Sequence, residues 1–106
     1  MEYASVYATF GSEYDAAKIG RELVKARLAA CVNYFPVKSI YRWKEEIEDS
    51  EETAMIIKTR SDLVDNLIKK VKYLHPYEVS CIVSMSIEKG NPEYLEWIRE
   101  STENSE

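Results

Sequence analysis

The chain has 106 residues, 45% hydrophobic and 31% charged, which suits one globular domain with a real core and excludes a disordered or fibrous polymer. Its 14 Lys and Arg stand against 19 Asp and Glu, a formal charge of -5; nucleic acid is bound by basic side chains that displace counterions from phosphate, so no nucleic-acid partner is expected. The start lacks a basic and an apolar signal region, and no apolar run approaches the roughly 20 residues of a bilayer span, so the expectation is a soluble, cytoplasmic protein with no membrane partner and with Cys31 and Cys81 as free thiols.

"YASVYATF" (3–10) is rich in β-branched and aromatic residues and stops at Gly11, as a first strand does. Ser12 with Asp15 resembles a capping box, and Ala16, Ile19, Leu23, Ala26 and Ala30 return at helical spacing, so a helix is expected over about 13–29. "CVNYF" (31–35) and "SIYRWKEEI" (39–47) are strand-like, with a bend or bulge expected at Pro36 and a turn near "EDS" (48–50) before the strand "ETAMIIKT" (52–59). Thr59 or Ser61 can cap a second helix whose inward face is Val64, Leu67, Ile68, Val71 and Leu74. Pro76 disfavours helical backbone at His75 and ends it. Val79, Cys81, Val83, Met85 and Ile87 then alternate with Ser80, Ile82, Ser84 and Ser86, a strand with one apolar and one serine-rich face. Gly90, Asn91 and Pro92 introduce a short last helix with Leu95 and Ile98 inward.

The order β-α-β-β-α-β plus a third helix predicts a ferredoxin-like α/β (α+β) sandwich, residues 1–100, in which two helices cover one face of a four-stranded antiparallel sheet. The tail 101–106 is expected to be disordered. The second and fourth strands become edges, and an exposed edge carrying Ile40, Tyr41 and Trp43 predicts self-association.

The acidic run "EEIEDSEE" (45–52) lacks the glycine and ligand offsets of a calcium loop and reads as a solvated hairpin tip. Three soft donors, Cys31, His75 and Cys81, are spread over three segments with no zinc spacing. Cys81 shares the parity of Val79 and Val83 and reads as core, whereas Cys31 is either core or a reactive thiol. His75 reads first as a helix terminator. Lys58, Arg60, Tyr77 and Glu78 are placed to form a small polar pocket. No nucleophile elbow, phosphate-cradling glycine loop or histidine partner is present, so no enzyme activity and no organic cofactor are expected. If a metal binds, copper is favoured by the divalent affinity order and by thiolate, with Cys31 first and His75 second as ligands contributed by several copies of the chain.

"RLAACVN" (27–33), "SIYRWKEEIEDSEE" (39–52), "IIKTR" (56–60), "HPYEV" (75–79) and "EKGNPEYLEWI" (88–98) together resemble the CutA family of divalent-cation tolerance proteins, in order and spacing. That resemblance implies a ferredoxin-like subunit, a homotrimer, a cytoplasmic location, an association with copper and other heavy metals, and similarity to the PII signalling trimers that bind small effectors between subunits. Trp43 then joins Lys58, Arg60, Tyr77 and Glu78 as a wall of the ligand pocket. Arg42 stands where many members have a second tryptophan, and Ser80-Cys81 where many have proline and glutamate.

Overall fold

The computed structural model describes residues 1–103. Strand β1 (Tyr3–Phe10) leads into helix α1 (Glu13–Lys25); β2 (Cys31–Trp43) and β3 (Glu46–Arg60) form a long hairpin; a 3-10 turn (Ser61–Leu63) enters α2 (Val64–Leu74); β4 (Ile82–Ile87) precedes α3 (Pro92–Ser101). The strands make one antiparallel sheet in the order β2-β3-β1-β4, the ferredoxin-like arrangement with β2 and β4 at its edges.

One face of the sheet makes the core. Ser12 caps α1 by accepting a hydrogen bond from the Asp15 amide at 3.1 Å, and the helix turns Ala16, Ile19 and Leu23 inward beside Leu67 and Val71 of α2. They pack on Val6, Ala8, Phe10, Met55 and Ile57, the matching set from the two central strands. A β-carbon at Gly20 would lie 2.9 Å from the Val32 Cγ2, so glycine is what lets α1 settle this close to β2.

The register fixes what lies on the opposite face. Val6 pairs with Ser84 and Ala8 with Ile82, while Tyr7 pairs with Val83 and Ser5 with Met85. Directly paired residues share a face, so Ile82, Ser84 and Ser86 of β4 point to the helix side while Val83, Met85 and Ile87 point away from the helices. Val83 and Met85 are 52% and 53% exposed. Cys81, expected in the core on the parity of Val79 and Val83, is exposed: alternation identifies two faces without saying which one the helices cover.

Other boundaries differ for local reasons. α1 ends at Lys25, four residues before the expected end, because Arg27 takes a left-handed conformation (φ 61) and the amides of Leu28 and Ala29 turn back onto the Leu23 carbonyl. Pro36 causes no bulge: β2 runs unbroken from Cys31 to Trp43, with Pro36 opposite Thr53, since an edge strand tolerates proline where the missing N–H faces away from its one neighbour. The hairpin turns at Lys44-Glu45 and not at 48–50, so all of the acidic run after Glu45 lies in the β3 ladder. Neither Thr59 nor Ser61 caps α2; the buried Thr59 hydroxyl donates to the Leu28 carbonyl at 2.7 Å. β4 begins at Ile82, after a non-strand segment from His75. Ser101 belongs to α3 and Thr102 is buried, its hydroxyl 2.8 Å from the Ile98 carbonyl, while 104–106 of the expected tail lie outside the described residues.

β1 ends opposite Thr53, so residues 37–43 and 46–52 pair only with each other, a two-stranded ribbon about 23 Å long at roughly 3.3 Å per residue. Lys44 (φ 48) and Glu45 (φ 74) both occupy left-handed backbone at its turn, where Asn-Gly is the favoured pair. Replacing them together (Lys44→Asn, Glu45→Gly) is expected to raise stability by about 1 kcal/mol, read as a higher denaturant midpoint at fixed protein concentration.

Candidate functional site

The sequence around His75 builds one wall of a cavity. His75 leaves α2 with extended backbone (ψ 131), as its position before Pro76 requires. Its ring is buried and stacks on Phe10 with centroids 4.7 Å apart. The Tyr77 amide donates to Nδ1 at 3.2 Å, which leaves the proton on Nε2, and Nε2 donates to the Thr9 carbonyl at 2.7 Å. The Thr9 amide in turn donates to the Cys81 carbonyl at 3.3 Å. Both ends of the loop are thereby tied to one residue near the end of β1.

Between this loop and the β2–β3 ribbon lies a cavity of about 690 Å³, lined by Thr9, Tyr41, Trp43, Glu52 and the loop residues Pro76 to Cys81. Thr9, Tyr41, Trp43 and Glu52 reach it from the sheet face opposite the helices, a consequence of the register. Tyr77 stands close over Gly11: a β-carbon there would be 2.7 Å from the phenol oxygen. Burial, followed by the negative charge of Glu52, holds the Tyr77 phenol above its ordinary pKa, so it stays neutral and able to donate.

Of the pocket residues expected from the sequence, Trp43, Tyr77 and Glu78 line this cavity, and Lys58 and Arg60 do not. Lys58 lies four residues along β3 from Ala54, the partner of Thr9, a separation of about 13 Å, and its ammonium donates to Asn33 Oδ1 at 2.7 Å. Arg60 is held by Asp62 through two hydrogen bonds of 2.9 and 3.0 Å, and those bonds keep the Asp62 carboxyl below its usual pKa. Tyr41, Glu52 and Thr9 were not anticipated. Tyr41 and Trp43 share strand parity, a usable signal, whereas Glu52 ends the acidic run that reads as a solvated hairpin tip.

The soft donors are not gathered either. Cys31 pairs with Lys58, which pairs with Ser5, whereas His75 and Cys81 bond to Thr9; Cys31 is therefore at the other end of the sheet. Its thiol is half-buried, 3.8 Å from Asn33 Oδ1, and close to Tyr94 of α3, whose pKa is raised by burial and then by Cys31. Both ring nitrogens of His75 are already used within the chain, so its expected role as a second metal ligand does not fit this geometry. Among the described residues, no group of three or more His, Cys, Asp or Glu is arranged to hold a metal ion, and no helix is long and apolar enough to cross a membrane.

A family model described as CutA1 divalent ion tolerance protein matches residues 4–101. The divalent-cation tolerance protein CutA of Thermus thermophilus is 46% identical over 92% of this chain and 95% of its own length. Protein CutA of Mus musculus is 45% identical over 94% of the chain, but the match spans only 57% of the mouse protein. The structure of the periplasmic divalent cation tolerance protein CutA from Archaeoglobus fulgidus superposes with a TM-score of 0.94 at 42% identity, covering 95% of this chain and 99% of that one.

Because His75 joins β1, α2 and the loop, His75→Ala removes a stacked ring and leaves the Thr9 carbonyl without its donor. The expected cost is about 2 to 4 kcal/mol, measured by denaturant unfolding. A loss below about 0.5 kcal/mol contradicts the pinning role.

Proposed function

The chain belongs to the CutA1 divalent ion tolerance family, and from that premise we propose that it is a trimeric, metal-responsive binding protein of the cytoplasm. It takes copper, contributes to tolerance of divalent and heavy-metal cations, and catalyses no reaction. The observation that carries the assembled state is the uncovered side of the sheet. Val83, Met85 and Phe35 are exposed on it, and the other face of the ribbon beyond β1 adds Ile40 and Ile47, at 75% and 65% exposure. A two-stranded ribbon is marginal in water by itself. Apolar surface of this extent on an elongated subunit, 46 Å in its longest dimension, supports burial against further copies.

Copper is supported by donor chemistry. Cys31 is a partly accessible thiol on this same open face, and thiolate favours the reduced ion. One chain supplies one such donor, and association of open faces supplies more. A second reading, a PII-like module that binds a small effector where subunits meet, is favoured by the cavity beside the ribbon.

Sedimentation equilibrium is expected to return three times the 12.3 kDa chain mass, and a monomer at micromolar concentration overturns the assembly. Copper titration is expected to lose affinity at least tenfold in Cys31→Ser while Cys81→Ser stays within about twofold, for variants that keep the trimer mass. Equal affinity in all three proteins removes Cys31 from the site. Saturable ATP, ADP or AMP binding with no copper binding favours the effector reading.

A further inference from the structure

We propose that the cavity between the ribbon and the loop after α2 is a site for an organic ammonium ion, a cationic nitrogen carried on an apolar body. This rests on the reading of that cavity as a ligand site and goes beyond it in assigning the ligand's charge. Its volume, about 690 Å³, is in the range of small-molecule sites. Three of its walls are the aromatic rings of Tyr41, Trp43 and Tyr77, and its only charged side chains are the carboxylates of Glu52 and Glu78. Among the described residues neither carboxylate has an ion-pair partner.

Each feature selects against an anion. A phosphate-bearing effector needs basic side chains or a cradle of amides, and no Lys, Arg or His of this chain's described residues lines this space. The two basic residues nearest in sequence expectation, Lys58 and Arg60, are engaged at the far end of the sheet by Asn33 and Asp62. Two carboxylates over a partly enclosed apolar floor favour a positive ligand. A bare metal ion is a poor match, because most of the lining surface is apolar and, among the described residues, no three His, Cys, Asp or Glu are gathered to hold one. Aromatic faces attract a diffuse ammonium within about 6 Å of the centroid. The Trp43 ring already does this for a residue of the chain: the Lys44 ammonium stands 5.4 Å from its centroid. Burial and then Glu52 raise the Tyr77 pKa, so its phenol stays neutral and adds no charge to the site.

The test is isothermal calorimetry on the assembled full chain with choline and its neutral carbon isostere dimethylbutanol, which differ only in the charge. Choline is expected to saturate and to bind at least tenfold tighter than the isostere, with affinity falling as sodium chloride is raised. Trp43→Leu is expected to weaken choline binding at least fivefold, and Glu52→Gln and Glu78→Gln severalfold each, without changing copper affinity. Because the isostere pair is compared on the unaltered protein, a poorly folding variant does not decide the matter. Equal binding of the two probes shows an apolar pocket without charge selection and overturns the inference. ATP binding without choline binding overturns it while the effector reading survives, and binding of none of them removes both.

Discussion

Two helices cannot cover both faces of a sheet, and this architecture depends on that limit. α1 and α2 are amphipathic, and their apolar stripes meet Val6, Ala8, Phe10, Met55 and Ile57 in a single layer. Every second residue of each strand must then face the other way. Of the described helices only the short α3 approaches that side, where Tyr94 meets Cys31, and the segment 76–81 overhangs one end of it, so most of it is left uncovered. An uncovered sheet face that is rich in serine and lysine would be unremarkable. Here it carries valine, methionine, phenylalanine, tyrosine and tryptophan, each worth about 1.5 to 3 kcal/mol if fully buried. The chain has a packed core on one side of the sheet and exposed apolar surface on the other.

The cavity follows from the same geometry. Its sheet wall is made of residues that point away from the helices, and its other wall is the segment 76–81, which crosses from the helix layer to the edge strand β4. That segment has no regular structure to hold it. Hydrogen bonds at both of its ends meet at Thr9, with His75 donating to the carbonyl and Cys81 accepting from the amide. A buried histidine therefore serves as a strut: it satisfies backbone groups at the end of β1 while it sets the position of Tyr77. The side chain with the most catalytic reputation in the chain has a structural duty.

Much of this was legible from residues alone. The β-branched run of β1, the helical spacing of Ile19 and Leu23 and of Leu67 and Val71, and the proline after His75 each carry a local signal that the tertiary structure did not override. The misses share a cause. A period of two assigns Val83 and Met85 to one face but is symmetric as to which face is covered, and apolar residues set aside for another surface look the same as core. Lys44 and Glu45 turn the hairpin without glycine or asparagine, so the turn sent no compositional signal and the acids that follow it were misplaced. Cys31 and His75 were linked only by being soft donors, and no property of the sequence between them reports the length of the sheet that keeps them apart.

The position of β1 in the sheet has a consequence for synthesis on the ribosome. Of the four described strands, the first to leave the exit tunnel is central, yet both of its neighbours are made later: β3 starts at Glu46 and β4 at Ile82. The β2–β3 hairpin pairs across a turn of two residues and can close as soon as it emerges, whereas one side of β1 waits until β4, Ile82–Ile87, has been made. Non-local pairing is the slow part of folding, and an unpaired strand ending in "YATF" is a site for wrong partners while it waits. β1 lacks both of its neighbours until β3 emerges and one of them until β4 does.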